Sequence, residues 1–310
     1  MCKETWFLIV NPASGSFSGK RKWKKIANEF TKQRIAFAFA FTEKPQHEYE
    51  LVLEALEQGY RKFVSVGGDG TLHHIVNGLM QQDLVPKTAL KLAVIPSGTG
   101  NDWVKTYKIP KDIQKAVAII KTEHTVFQDI GTISLLNSDK KLFFNNVAGL
   151  GFDGYVVKRN EGLKFLGAAS FLISTILSLA SYTSTEFVIE SAKRKLTTKS
   201  LLTIVGICQY SGGGMQLTES VQPDDGLFDV SVAKHFSLFK LLRNVVGLFN
   251  GSITKHTQVE TFKTDEITIT TSATDVFVQA DGELIGTGGF TAKILPKALQ
   301  FVVSSRECIS

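Results

Sequence analysis

Residues 6–10, Trp-Phe-Leu-Ile-Val, are apolar without a break and run directly into Asn11-Pro12. Such a run predicts a strand buried on both faces and closed by a turn. Comparable segments at 35–41, 62–66 and 91–95 predict three further strands. Between the strands the apolar spacing becomes helical. Leu72, Ile75, Val76, Leu79 and Met80 fall at i, i+3, i+4, i+7 and i+8, which predicts a helix over 72–82. Residues 22–33, 48–58 and 112–121 predict helices in the same way. Strand and helix therefore alternate as they do in a parallel sheet. From about residue 128 the chain changes to short β-branched and aromatic segments at 141–147, 185–190, 201–207, 227–233, 266–270 and 276–279. That rhythm predicts an antiparallel, sandwich-like domain. A helical stretch at 237–249 interrupts it, with Leu238, Leu241, Leu242, Val245 and Leu248 on one face. The expected architecture is α/β: a Rossmann-like parallel-sheet domain over 1–125 and an antiparallel β-sandwich domain over 126–310. A last strand near 299–303 is left free to return to the first domain.

Length and composition agree with two domains that have substantial cores: 310 residues, 43% hydrophobic and 21% charged. Lys and Arg number 35 against 29 Asp and Glu, a net charge of +6. This mild excess suits anionic nucleotides or an anionic membrane surface, and no nucleic-acid partner is expected. Cys2, Cys208 and Cys308 are odd in number and lack ligand spacing, so neither a disulfide framework nor a zinc site is predicted. No signal-peptide pattern opens the chain, and a cytoplasmic protein is expected. Residues 165–185 hold no charge over 21 positions. Their many Ser and Thr residues favour a buried helix over a membrane span.

Candidate chemistry collects where predicted strands end. The central stretch is Gly67-Gly68-Asp69-Gly70-Thr71, on a strand-to-helix turn whose backbone N–H groups suit a phosphate. A carboxylate among such amides repels an anion unless it has another duty, so Asp69 points to phosphoryl chemistry. The same turn can equally be a glycine-rich turn with Asp as helix cap. Asn11-Pro12-Ala13-Ser14-Gly15 follows the first strand, and Pro96-Ser97-Gly98-Thr99-Gly100-Asn101-Asp102 follows the fourth. Thr42 closes the second strand. The first loop is not a Walker P-loop, because Arg21 stands where Ser or Thr is required. Loops of one composition at one end of a sheet argue together for a nucleotide site more strongly than any does alone. No G-x-G-x-x-G follows the first strand, which counts against a dinucleotide dehydrogenase.

These motifs, taken with Asn146 to Asp153, Pro223-Asp224-Asp225-Gly226-Leu227 and Asp281-Gly282-Glu283, resemble the diacylglycerol kinase catalytic-domain family, which includes bacterial lipid kinases and sphingosine kinases. The resemblance covers nearly the whole chain. It implies an ATP-dependent, magnesium-requiring kinase that phosphorylates a lipid with a free hydroxyl, working transiently at the inner membrane face. The implied nucleotide contacts are Asn11, Pro12, Ala13, Ser14, Gly15, Thr42, Gly67, Gly68, Asp69, Gly70, Thr71 and Thr99. Glu283 is implied as the proton acceptor, with Asp69 as the competing candidate and a partner for Mg2+. Asp102 and Asp129 are implied in a polar network around the site, and Asp153 at the lipid's polar head. A separate structural Mg2+ is implied on the Asp225 carboxylate with the carbonyls of Gln222 and Leu227. A homodimer is compatible with the sequence and not specified by it.

The chain departs from the family at His74, where Glu is common. Gly-Gly-Asp-Gly-Thr alone is shared with NAD kinases, so an NAD kinase-like enzyme stays open, as does a non-catalytic lipid- or nucleotide-binding protein.

Overall fold

A computed structural model describes residues 3–17, 19–98, 100–160, 178, 182, 184–219, 221–234 and 243–305. Thr99 and nearly all of the uncharged run 165–185 lie outside the described residues, as do 237–242 of the helix expected at 237–249. The chain divides into two compact units, Met1–Gln128 with Lys297–Ser310, and Asp129–Pro296.

The first unit is built on β1 (Lys3–Val10), β2 (Phe37–Phe41), β3 (Tyr60–Gly67) and β4 (Lys91–Pro96). All pair in parallel, in the order β2-β1-β3-β4, and the end of the last strand of the chain joins β4 through Gln300 and Phe301. Leu8, Ile9 and Val10 have no exposed surface, as expected of a central strand covered on both faces. On one face, Ile26 and Phe30 of α2 (Gly19–Lys32) pack with Val117 and Ile120 of α6 (Ile113–Thr122) over Trp6, Leu8, Val64 and Val66. α1 (Ser14–Phe17) and α5 (Trp103–Thr106) are single turns; α3 (Glu48–Glu57) and α4 (Asp69–Gln81) pair with each other. α4 begins three residues before the apolar periodicity does, because Asp69-Gly70-Thr71 forms its first turn.

The order β2-β1-β3 decides where a ligand goes. From β1 the chain steps out to β2 and then returns to the other side of β1 as β3. The loops leaving β1 and β3 therefore flank the switch point of the sheet, the usual binding crevice of open α/β folds.

The second unit is antiparallel. β7 (Val147–Gly151), β13 (Phe277–Ala280) and β14 (Glu283–Thr287) form one side of a ladder that continues through β9 (Arg194–Gly206) to β10 (Phe228–Lys234) and β11 (Val259–Thr264). β8 (Thr185–Ser191) turns back on the first half of β9 and pairs with β12 (Glu266–Thr270), which pairs with β15 (Phe290–Val302). β5 (Thr125–Leu135) pairs with β6 (Lys141–Phe144). α7 (Phe152–Asn160) follows β7, and α8 (Val245–Asn250) is the described part of the interrupting helix.

Two differences from the sequence reading have clear causes. β9 starts seven residues before the strand expected at 201–207, because its polar first half is a hairpin arm with too few apolar positions to register. The strand expected at 141–147 is broken at Asn145-Asn146. There the backbone N–H groups turn to a side chain, the Asp281 carboxylate, in place of a ladder.

Candidate functional site

In the first unit the three loops after β1, β3 and β4 are cross-linked at the switch point. The Asn11 side-chain amide donates to Thr71 Oγ1 at 3.0 Å, tying the first loop to the start of α4. The Ser14 and Ser97 hydroxyls lie 2.8 Å apart, tying the first loop to the third. Gly67 O accepts from the N–H groups of both Ser97 (2.8 Å) and Gly98 (3.1 Å). Gly68 and Gly98 touch so closely that a Cβ on Gly98 would stand 2.4 Å from Gly68 Cα. Thr42, buried at the end of β2, donates its N–H to Val10 O. Lys22, on α2, donates to Ser97 O at 3.3 Å and brings a cationic side chain to these loops. The first bond of α4 is Leu72 N to Gly68 O, so the backbone N–H groups of Gly70 and Thr71 lie at the positive end of the helix. An amide-lined, positively polarised cradle results, shaped for a phosphate.

Asp69 is not aimed outward like a free acid. Its Oδ2 accepts the N–H of Asp102 at 2.9 Å and its Oδ1 that of Trp103 at 3.3 Å, so the carboxylate caps the turn α5. Asp69 and Asp102 are thus brought together, but through the Asp102 backbone. The Asp102 side chain pairs instead with Lys105 at 2.6 Å. His73 and His74 lie ring against ring, His74 beside Tyr49 of α3, and the Asn77 side chain donates to His73 O.

In the second unit, Asp281 and Gly282 have φ of +52° and +84° and join β13 to β14 as a two-residue hairpin turn flanked by the pair Ala280 and Glu283. Asp281 is buried. Its carboxylate accepts three successive backbone N–H groups, from Asn145 (3.1 Å), Asn146 (2.9 Å) and Val147 (3.2 Å). The hairpin is therefore pinned to the break between β6 and β7. Glu283, half-buried, stands just past the pin with no hydrogen-bond or ion-pair partner among the described residues. Sequence reasoning saw the motif but not the anchoring role of Asp281, because the backbone groups it holds, at Asn145, Asn146 and Val147, are far away in the chain.

Asp153, in the first turn of α7, lies with its carboxyl group desolvated beside the Gln279 side chain. The absence of a side chain on Gly149 leaves room for it, since a Cβ there would lie 2.6 Å from Asp153 Oδ2. Burial pushes its carboxyl up from 3.8 to about 6, partly opposed by the hydrogen bond from the Gln279 side chain.

Asp129 also belongs to this unit, and there it serves a different segment. Its Oδ2 accepts from Gly226 N (2.7 Å) and its N–H donates to Pro223 O (2.7 Å), clamping the turn at 222–227. Asp225 Oδ1 accepts from Leu227 N, and Oδ2 lies 2.8 Å from the Lys263 ammonium, which also reaches Asp229 at 3.0 Å. A hard divalent cation needs an oxygen-lined space, and here an ammonium stands against the one carboxylate that would be its principal ligand. The residues do not fit a separate Mg2+ at this turn. Among the described residues no group of three or more His, Cys, Asp and Glu side chains forms a metal cluster.

Comparison with known proteins agrees with this arrangement. Residues 5–133 match the diacylglycerol kinase catalytic domain, and residues 146–303 match the YegS C-terminal NAD kinase beta sandwich-like domain. The chain belongs to the diacylglycerol kinase catalytic-domain family. Bacillus subtilis YtlR, a candidate lipid kinase by name, is 29% identical over 310 residues, covering 95% of this chain and 98% of its own. A Staphylococcus epidermidis diacylglycerol kinase is 29% identical over 280 residues, 90% of this chain and 85% of its own. The crystal structure of a diacylglycerol kinase from Bacillus anthracis has a TM-score of 0.74 at 22% identity, covering 97% of both chains, a likeness of fold. The parallel N-terminal sheet and antiparallel, sandwich-like C-terminal domain expected from sequence are those of this family. No described helix is long and apolar enough to cross a membrane.

Proposed function

We propose that this member of the family is an ATP-dependent lipid kinase that transfers the γ-phosphoryl group of ATP to a hydroxyl of diacylglycerol or a related lipid. The observation that carries the reading is Glu283: a half-buried carboxylate without a partner among the described residues, on a hairpin fixed by three backbone bonds to Asp281. An alcohol is a weak nucleophile at neutral pH, and a positioned carboxylate that takes its proton is the general-base answer.

In this mechanism the loops of the first unit hold the phosphates. Amides from Gly70 and Thr71 stabilise the charge that spreads over the γ-phosphoryl oxygens, while Asn11, Ser14 and Thr42 keep the loops in place. Glu283 removes the proton of the lipid hydroxyl. Its oxygen bonds to the γ-phosphorus as the bond to the β–γ bridging oxygen breaks, and ADP leaves with that electron pair. Mg2+ arriving with ATP supplies charge neutralisation at the phosphates, and the Asp69 carboxylate is the hard oxygen donor of the cradle suited to it. Both Asp69 oxygens already accept backbone N–H groups, which favours Glu283 as the proton acceptor. Asp153 suits the polar head of the lipid, being an acid kept in an apolar setting beside Gln279. A lipid acceptor sets the work at a membrane surface, and the net charge of +6 favours an anionic inner leaflet.

The test is transfer of labelled phosphate from ATP to a panel of lipid hydroxyls in mixed micelles, with NAD as a parallel acceptor, for wild type, Glu283→Ala and Asp69→Ala. Labelled lipid, lost in Glu283→Ala, is the expected result. Labelled NADP would make it an NAD kinase-like enzyme, and ATP binding without transfer would make it a non-catalytic binder.

A further inference from the structure

We propose that Lys263 supplies, from within the chain, the positive charge that the family's structural Mg2+ would bring to the turn at 222–227. The position of Lys263 is set by strand register. β10 and β11 pair over six residues, from Phe228↔Thr264 to Ala233↔Val259, and this ladder puts Lys263 directly opposite Asp229. Directly opposed residues of an antiparallel pair share one face of the sheet, so the ammonium is delivered to the acid side of the turn.

There the ammonium bridges two carboxylates that the chain holds in place by other means. Asp229 is buried in β10, and Asp225 is fixed by Leu227 N at 3.0 Å. The ammonium lies 2.8 Å from one and 3.0 Å from the other. Partial desolvation works against the ammonium's charge, and the two acids together more than offset it, holding the proton more firmly than on a free lysine. A divalent ion on Asp225 would have to share this small region with a fixed like charge or displace it. The bridge also does the mechanical work of an ion. It ties the turn to β11, as Asp129 ties it to the start of the unit through Gly226 N and Pro223 O. The turn is then closed without a bound metal, whichever acceptor the chain phosphorylates.

The experiment is thermal unfolding of the full chain without nucleotide, in EDTA and across a Mg2+ titration to about 10 mM. Wild type should shift by less than about 1 °C, since a ligand stabilises only through a site it can occupy. Lys263→Gln should unfold about 4 °C lower in EDTA, with two carboxylates left facing each other, and should regain much of that as Mg2+ is added. Lys263→Arg should remain silent to Mg2+. Adding Asp225→Asn to Lys263→Gln should abolish the regained response, which locates it at this turn. A saturable rise of several degrees in wild type that is lost in Asp225→Asn overturns the proposal. So does a Lys263→Gln variant that gains no Mg2+ response. Should Lys263→Gln fail to fold, the wild-type titration alone decides.

Discussion

Asp69 in the first unit and Asp281 in the second both sit in glycine turns at the head of a motif, and both spend their carboxylates on backbone N–H groups of a neighbouring segment. Asp69 takes two, from Asp102 and Trp103, and Asp281 takes three, from Asn145, Asn146 and Val147. The difference lies in what each leaves behind. Pinning Asp69 leaves backbone amides at the start of α4 for a phosphate, whereas pinning Asp281 leaves a free carboxylate, Glu283, two residues on. Similar acid-and-glycine turns thus build an anion cradle in one unit and a proton acceptor in the other.

The largest effect should come from Glu283. A general base contributes roughly 10² to 10⁴ in rate. Glu283→Gln should therefore lower kcat by about that factor, while ATP affinity and Tm stay close to wild type. Asp69→Asn should instead weaken ATP binding and lower Tm, since it disturbs the cap on α5. Steady-state kinetics with calorimetric ATP titration separate the two. If Glu283→Gln keeps turnover and Asp69→Asn loses it with ATP affinity intact, the roles assigned to the two acids are reversed.

Asp281 sharpens the contrast through stability. Removing its carboxylate strands three N–H groups at the break between β6 and β7, at roughly 1 kcal/mol or more each. Asp281→Ala should then lose about 3 kcal/mol of unfolding free energy, and turnover should fall with it because Glu283 loses its support. Urea unfolding reads the first and kcat the second. A variant of unchanged stability would show that the hairpin stands without its pin.

Asp153 supplies a third acid, a buried carboxyl group whose hydrogen-bond partner among the described residues is the Gln279 side chain. Its carboxyl is pushed up from 3.8 to about 6, so the folded state binds the proton more tightly than the unfolded chain does. The contribution of this one group to stability is therefore greatest below about pH 4, falls as pH rises through the interval to about 6, and is level above it. At about 1.4 kcal/mol per pKa unit, the charged form costs on the order of 2 to 3 kcal/mol above pH 6. Asp153→Asn should stabilise the protein by up to that amount at pH 8 and by nothing at pH 4, while its KM for lipid rises. Equal stabilisation at both values would mean that charge burial is not the cause.

The sequence displayed the first unit more fully than the second, for physical reasons. Strands buried on both faces and helices with one apolar face announce themselves in period and composition, and the small-residue loops at their ends follow. Helix α4 shows the limit, because Asp69-Gly70-Thr71 carries no apolar period and its helical turn is set by the sheet and the neighbouring loops. In the second unit the decisive features are long-range. The bonds from Asp281 reach residues more than 130 positions away, and Lys263 meets Asp225 and Asp229 only once β10 and β11 are in register. Asp129 shows the same limit: the family resemblance implied it in a polar network with Asp102, and its bonds to Pro223 and Gly226 form only once distant segments meet.

The smallest predicted effect tests the cradle without touching an acid. Gly98 meets Gly68 backbone to backbone, and a Cβ at Gly98 would lie 2.4 Å from Gly68 Cα, 3.0 Å from Gly68 N and 3.1 Å from Asn101 Oδ1. The two nearest are backbone atoms, so the loops after β3 and β4 must move apart. A Cβ at Gly68 would meet Gly98 Cα at 3.3 Å, a contact that a small adjustment absorbs. Gly98→Ala should therefore weaken ATP binding about tenfold, near 1.4 kcal/mol, and Gly68→Ala by less. Because Glu283 lies on another unit, proton removal should be untouched, and kcat at saturating ATP should fall little. Tight ATP binding by Gly98→Ala would show that the phosphate does not depend on the contact between these two loops, and the comparison of cradle with acceptor would then rest on α4 alone.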